Sequence, residues 1–469
     1  MRFFQRKQKL FHLEDTFQKN WKDCFQTFVK LSSKQNDMRK KESPQITPLM
    51  LISIILTTGI LIAKMGYAYI DTIYWLVAAL LSWGISFYLL KRSASAINIQ
   101  CLSLIFCIFS IGGTLTSHQM DKKKQEKPQI ITEEGLSSFD KTILITQECR
   151  NTIQKQLRSL NIQEQDFAIV SAMTLGDKTS LTKETKDIYS ISGTSHILAV
   201  SGLHIGIIFQ LFILLLGGRR RSIPTIILSI TAIWAYVIFI GMPASAIRSA
   251  TMISICCFAM LSHRKALSIN NLAFAYVIML IYNPLYLFDI SFQMSFMAVY
   301  SILLFYQPLE GLCCTRHFYT RWPWSMLCIS IAAQIGTMPL IIYYFGRISC
   351  YALFTGFIAI PAATVVLWLS AAILLLTLLT HIPLMSLLSE PLLHFAASGL
   401  ISITQAMNTA LKLTTMLPGA SIDGIKINIP QLCLIYFCII VGYIIIRKTR
   451  YYSKTSSIPF SVKSSSSAF

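Results

Sequence analysis

Apolar runs of roughly 18 or more residues recur along most of the chain, and a run of that length leaves the backbone little choice. Amides and carbonyls in hydrocarbon must be paired within the chain, so each run is expected to be a helix. Candidate membrane helices occupy approximately 49–64, 70–90, 97–116, 197–216, 223–240, 244–262, 266–282, 289–306, 324–345, 349–379, 384–411 and 430–446, about twelve in all. The eleventh carries Glu390, Pro391 and His394 and is amphipathic, which suits either the membrane interface or the wall of a cavity. Only 13% of residues are charged and 54% are hydrophobic, whereas soluble domains carry about a quarter charged residues. The expected fold class is all-α, a polytopic helical membrane protein.

The net charge of +20 has two readings. It suits nucleic acid or anionic lipid as a partner, or it is the Lys and Arg excess that orients membrane helices, which the distribution favours. Basic groups stand in the N-terminal tail, at Lys91 and Arg92, at Arg219 to Arg221, at His263 to Lys265, at Arg316 and Arg321, and at Arg447, Lys448 and Arg450. These are alternate loops. Both termini are therefore expected in the cytoplasm. The expected organisation is a basic cytoplasmic tail over 1–48, membrane helices over 49–116, an extracytoplasmic segment over 117–190, a second membrane domain over 191–446 and a basic, Ser-rich cytoplasmic tail over 447–469. The first helix is expected to act as a signal anchor, since the long polar stretch before it is no cleavable leader. Within 117–190 the spacing of Ile153, Leu157 and Leu160 predicts a small helical cap. Most of the 12 cysteines lie in apolar runs and read as small hydrophobes rather than a disulfide framework.

The most unusual stretch is Ile191 to Gly206, ISGTSHILAVSGLHIG. It sets Ser192, Gly193, Ser195, His196, Ser201, Gly202 and His204 at the head of an apolar helix, where polar groups are costly. Either a broken helix exposes these groups to an aqueous path, or Gly202 and Gly206 mark close helix packing with the serines bonded back to their own turns. Arg248, inside another apolar run, either lines such a path or pairs with an acid or helix end. Gln293 and Gln334 either donate to a ligand or satisfy other buried groups, and Tyr343, Tyr344 and Phe345 either stack on bases or form an interfacial belt.

The paired SGTSH and SGLH elements, preceded by Leu175, Gly176 and Asp177, resemble the signature of the ComEC competence family. Pro243, Ala246, Ile247 and Arg248 are similar to its next segment, followed by Asn283, Pro284, Phe292, Gln293 and Ser295, then Gln334, Pro339, Tyr344, Phe345 and Gly346, then Ala359, Ile360 and Pro361. The resemblance runs from about 165 to 380. Thr355 and Gly356 stand where the family pattern leads one to expect an asparagine. The resemblance implies a channel in the inner membrane that passes one DNA strand into the cytoplasm during natural transformation. Single-stranded DNA and the bilayer are its implied partners, with a cytoplasmic DNA motor or a separate nuclease beside them, and an oligomer is left open. The residues named in the preceding paragraph, from Ser192 to His204 with Arg248, Gln293 and Gln334, become its expected path lining. The soluble domains of longer family members are not expected here: the outside segment before Gly176 is too short and too weakly alternating for the β-barrel of the oligonucleotide fold, and no His-x-His-x-Asp-His cluster for the metallo-β-lactamase-like domain occurs among the 8 histidines. No metal, cofactor or catalytic residue is expected, and the chain is not expected to be an enzyme.

Two other classes fit parts of the pattern. Ser201 and His204 lie on one helical face, with Asp177 available to orient the imidazole, as an intramembrane hydrolase would need; no Gly-x-Ser-x-Gly surrounds Ser201. A solute transporter also uses broken helices, but no internal repeat is evident. A family member serving a role outside transformation is the remaining alternative.

Overall fold

The computed structural model describes residues 48–67, 69–89, 97–125, 138–159, 162–217, 222–261, 268–313, 317–380 and 383–456. Most of the N-terminal tail, the end of the Ser-rich tail, Leu160, and the basic groups at Lys91 and Arg92, Arg219 to Arg221, His263 to Lys265 and Arg316 lie outside the described residues.

The chain is an all-α membrane bundle. Helices α1 (Pro48–Met65), α2 (Thr72–Leu89) and α3 (Ile97–Gln125) form one packed group. Glycine sets their separation: a Cβ on Gly59 would sit 2.1 Å from the Phe109 carbonyl oxygen, and one on Gly113 would enter the Trp75 ring at 2.4 Å. Larger residues there would force the helices apart. The third run, expected to end near 116, continues as helix to Gln125, where Lys122, Lys123 and Lys124 complement the negative end of the helix dipole.

Helices α4 (Ser138–Ser159), α5 (Glu164–Thr174) and α6 (Lys183–Ile191) come next, then a four-residue turn of helix, α7 (Ser195–Leu198), and α8 (Gly202–Leu215). The remaining elements are α9 (Ile223–Phe239), α10 (Ala244–Leu261), α11 (Ile269–Tyr282), a tight turn of 3-10 helix over Pro284–Phe288, α12 (Ile290–Glu310), α13 (Phe318–Phe345), β1 (Arg347–Ser349), α14 (Ala352–Thr380), α15 (Pro383–Thr415), β2 (Ser421–Asp423) and α16 (Ile429–Ser456). Among the described residues, 8 helices are long and apolar enough to cross a membrane: α1, α2, α3, α10, α12, α13, α14 and α16. Helices α8, α9 and α11 are apolar but shorter. With the amphipathic α15 these account for the twelve expected runs. Two details depart from them. The fourth run is interrupted between α7 and α8, and the start of the tenth is drawn into a two-stranded antiparallel ladder that pairs Arg347 with Asp423 and Ser349 with Ser421. Gly346, at φ +63°, ends α13 in the left-handed conformation that makes this reversal possible.

One core joins α4, α5, α6, α7, α14 and α15 around Tyr189, Ile169, Met173 and Leu400. A second joins α1, α11 and α12 through Ile60, Leu280 and Phe292, and a third joins α8, α9 and α10 through Ile205, Val237 and Ala250. Connections meet at one end of the bundle. There Tyr67 donates to Asp121 at 2.6 Å, Lys64 lies 3.3 Å over the Phe288 ring, Arg150 donates to the Ile240 carbonyl at 3.1 Å and Arg347 donates to Ser190 at 2.9 Å. Arg321 and Glu310, 3.6 Å apart, belong to the other end.

Candidate path-lining site

The segment from Ser192 to Gly206 is a helix broken twice. Helix α6 ends at Ile191, and Gly193 turns the chain at φ +76°. A Cβ there would lie 2.7 Å from that of Ala352 and 3.0 Å from that of Ser349, so both the backbone conformation and the approach of β1 and α14 require glycine. Ala199 and Ser201 are extended, which separates α7 from α8. Carbonyls freed by the breaks are taken up by neighbours: the Thr355 hydroxyl donates to the Ser192 carbonyl at 2.7 Å, and the Ser245 hydroxyl donates to the Val200 carbonyl at 2.6 Å. Thr355 is fully buried. The position where the family pattern suggested an amide thus carries a hydroxyl that meets a backbone group.

Ser201 and His204 meet as a helix cap. The Ser201 N–H donates to Nδ1 of His204 at 3.3 Å, and the Ser201 Oγ lies 2.9 Å from the same nitrogen. This is the reciprocal arrangement of a capping box with imidazole in place of a carboxamide. It holds Nδ1 as an acceptor, which leaves the proton on Nε2. The imidazole is fully buried. It interacts with the Ile197 backbone and with His196, yet Nε2 completes no hydrogen bond. Asp177 does not join this pair. Its Oδ1 accepts the Thr179 N–H at 2.9 Å and hydroxyl at 2.7 Å, and Oδ2 accepts Gln154 Nε2 at 2.7 Å. The geometry is that of a helix start tied down, without the acid that a hydrolytic triad places behind its histidine.

Ser195 and His196 are exposed. The His196 side chain stands beside the Gly193 backbone at the first break. Gly202 is exposed as well, and a Cβ on it would sit 2.7 Å from the Ser249 hydroxyl of α10. Helix α10 therefore supports the break with two serines one turn apart, Ser245 and Ser249, and carries Arg248 beside them.

Arg248 is 2% exposed. Its Nη2 donates to Ser291, and Nη1 lies 3.5 Å from Asp289 Oδ2, while Nε and Nη1 complete no hydrogen bond. Asp289 also caps α12 by accepting the Ser291 N–H at 3.2 Å. The expected alternative of an acid and a helix end is what Arg248 meets. Gln293 is engaged at both ends, donating to the Leu287 carbonyl at 2.9 Å and accepting from the Tyr344 hydroxyl at 2.8 Å. The structure thus uses Gln293 and Tyr344 as a tie between α12 and α13. Gln334 is half-buried in mid α13, Tyr343 packs edge-on against Tyr344, and Phe345 is exposed. The break and Arg248 share the α10 support, whereas Gln293 and Gln334 belong to the α12–α13 layer.

Sequence reasoning missed Asp166. It is 4% exposed and accepts from Gln405 Nε2 at 3.0 Å and Asn408 Nδ2 at 3.3 Å. The available signal was Gln405 and Asn408 themselves, two amides one turn apart on α15. For Asp177, burial opposes the charge, but Thr179, Gln154 and the nearby Arg150 outweigh it and hold the carboxyl below its usual range. Among the described residues no three His, Cys, Asp or Glu side chains are grouped to hold a metal ion.

Fold and site together define a polytopic helical membrane protein in which an interrupted, polar helix stands at one end of the bundle, backed by an arginine-bearing helix. The chain belongs to the ComEC competence family: residues 173–449 match the family described as Competence protein. It is 28% identical over 202 residues to ComE operon protein 3 of Bacillus subtilis, a match covering 42% of this chain and 24% of that protein. It is 23% identical over 286 residues to Recombination protein 2 of Haemophilus influenzae, covering 57% and 35%. A protein of uncharacterised function from Aquifex aeolicus is 30% identical over 177 residues, covering 37% and 40%. The chain thus matches well under half the length of each of these relatives. No solved structure matches it.

Proposed function

We propose that the chain forms a channel that conducts single-stranded DNA across the inner membrane during natural transformation. The observation that carries this reading is the double break from Ser192 to His204, which leaves Ser195, His196 and Gly202 exposed on a segment supported by α10, the helix that carries Arg248, within the stretch matched by the family. A polyanion needs a hydrated route with donors along it, and a broken helix supplies backbone and side-chain donors without exposing them to lipid. Ser192, Gly193, Ser195, His196, Ser201, Gly202, His204 and Arg248 form this proposed lining. Gln293 and Gln334 are its outer layer.

The end of the bundle that carries the breaks faces outward in this proposal, and both termini face the cytoplasm, with 117–190 as an extracytoplasmic cap. In this proposal the Ser201 and His204 pair, which caps α8, serves transport rather than chemistry. A cytoplasmic DNA motor or a separate nuclease acts beside it in this proposal. The test is deletion of the gene in a transformable host. Chromosomal transformation is expected to be lost while labelled DNA still reaches the cell surface; retained transformation contradicts the proposal.

A further inference from the structure

A carboxylate in the protein interior is costly unless its charge is met, and a neutral group serves as well wherever only hydrogen bonding is required. Asp166 is such a carboxylate. Among the described residues its oxygens meet two amides, Gln405 and Asn408, and no basic side chain lies within ion-pair distance. An ionised carboxylate only accepts, so both amides must turn their NH2 groups toward it. Asn408 is then left with its Oδ1 facing away, and that oxygen accepts the Tyr189 hydroxyl at 2.7 Å. Tyr189 is 1% exposed. Burial and the nearby Asp166 charge push its phenol up, so it remains a donor throughout the physiological range.

Tyr189 leads directly into the first break. Its carbonyl accepts the Thr194 N–H at 2.9 Å and the Ser192 hydroxyl at 3.2 Å, and Ser192 and Thr194 share a hydrogen bond of 2.7 Å. From the other side, Thr355 and β1 clamp the same turn. The turn is therefore held from two directions, one of them through Asp166.

We propose that Asp166 is a positioning residue for DNA conduction: through Asn408 and Tyr189 it fixes the Ser192–Thr194 turn, and with it the placement of Ser195 and His196. This rests on the proposed channel function. No residue of this relay needs to touch the strand.

Two variants separate positioning from folding. Tyr189→Phe removes the last link and leaves Asp166 with both of its donors. Asp166→Asn removes the acceptor-only character at nearly constant shape, and combining it with Asn408→Asp exchanges acid and amide and restores a donor–acceptor pair. Hydrogen–deuterium exchange of the purified full chain is the first readout. Exchange of amides 192–196 is expected to rise about five- to tenfold in Tyr189→Phe and in Asp166→Asn, the population change for loss of one net hydrogen bond, with protection of the lipid-embedded helices unchanged and recovery in the exchanged pair. DNA uptake per folded molecule is the second readout and should fall in both single variants and recover in the exchanged pair. Unchanged exchange at 192–196 overturns the relay whatever DNA does. Faster exchange with wild-type uptake overturns the positioning role. A wild-type chain that conducts no DNA, while exchange responds as expected, removes the channel reading and with it the positioning role, and leaves the relay standing.

Discussion

Arg248 and His204 differ from the other lining residues in being fully enclosed while holding donors that complete no hydrogen bond. An unmet buried donor costs about 1–3 kcal/mol, so chemistry and packing predict different variant behaviour. Arg248→Lys keeps the charge near Asp289 but loses the planar fork, and should retain part of the uptake per folded molecule; Arg248→Met should lower it by at least about tenfold, the loss of one charge-assisted contact. His204→Gln offers a side-chain oxygen to the Ser201 N–H and should be milder than His204→Leu, which leaves the Ser201 N–H without its acceptor. Uptake normalised to folded protein in the membrane checks both pairs. Normal uptake per molecule in Arg248→Met and His204→Leu assigns these side chains to packing alone. The sequence showed that these residues were unusual, because polar groups in apolar runs stand out without any structure. It left the partner of Arg248 open, since Asp289 lies at the head of a different helix. Asp166 was invisible for the opposite reason: among Glu164, Gln165 and Asp166 it reads as one more exposed group at a helix start, and only the docking of α15 buries it.

At the scale of elements, α4 is the brace that ties α5 and the Asp177 turn to the end of α9. Arg150 reaches the carbonyl of Ile240, and Gln154 reaches Ser171 at 3.2 Å and Asp177. Asp177 titrates below its usual range, so its contribution is complete above the ordinary carboxyl value of about 4 and is lost as pH falls through the lower folded value. Thermal unfolding of the purified protein should therefore show a gap between wild type and Asp177→Asn that is constant near neutrality and closes in acid. A gap that persists undiminished below the folded value contradicts the assignment. Helix positions were legible because hydrophobic runs are long, as α1, α2 and α16 illustrate. A broken helix was one of two readings for this stretch, and Ser201-Gly202 carries a local N-cap signal, but the break at Ala199 to Ser201 was not placed because its support from Ser245 and Ser249 is tertiary. The pairing of β1 with β2 joins segments far apart in the chain and leaves no local trace.

For the whole molecule, the proposed channel requires that the end bearing the breaks face outward and that DNA pass along α7. Reporter fusions after Arg150 and after Lys454 should report opposite sides, with activity in the cytoplasm only for the second; cytoplasmic activity at both contradicts the orientation. The most direct measurement is photocrosslinking in transforming cells, with a photoreactive amino acid in place of the exposed His196 of α7 or in place of Phe437, 64% exposed on the apolar face of α16. Adducts with incoming single-stranded DNA are expected at position 196 and none at 437. Active uptake with no adduct at 196, or with equal adducts at both positions, would contradict a path along the broken helix.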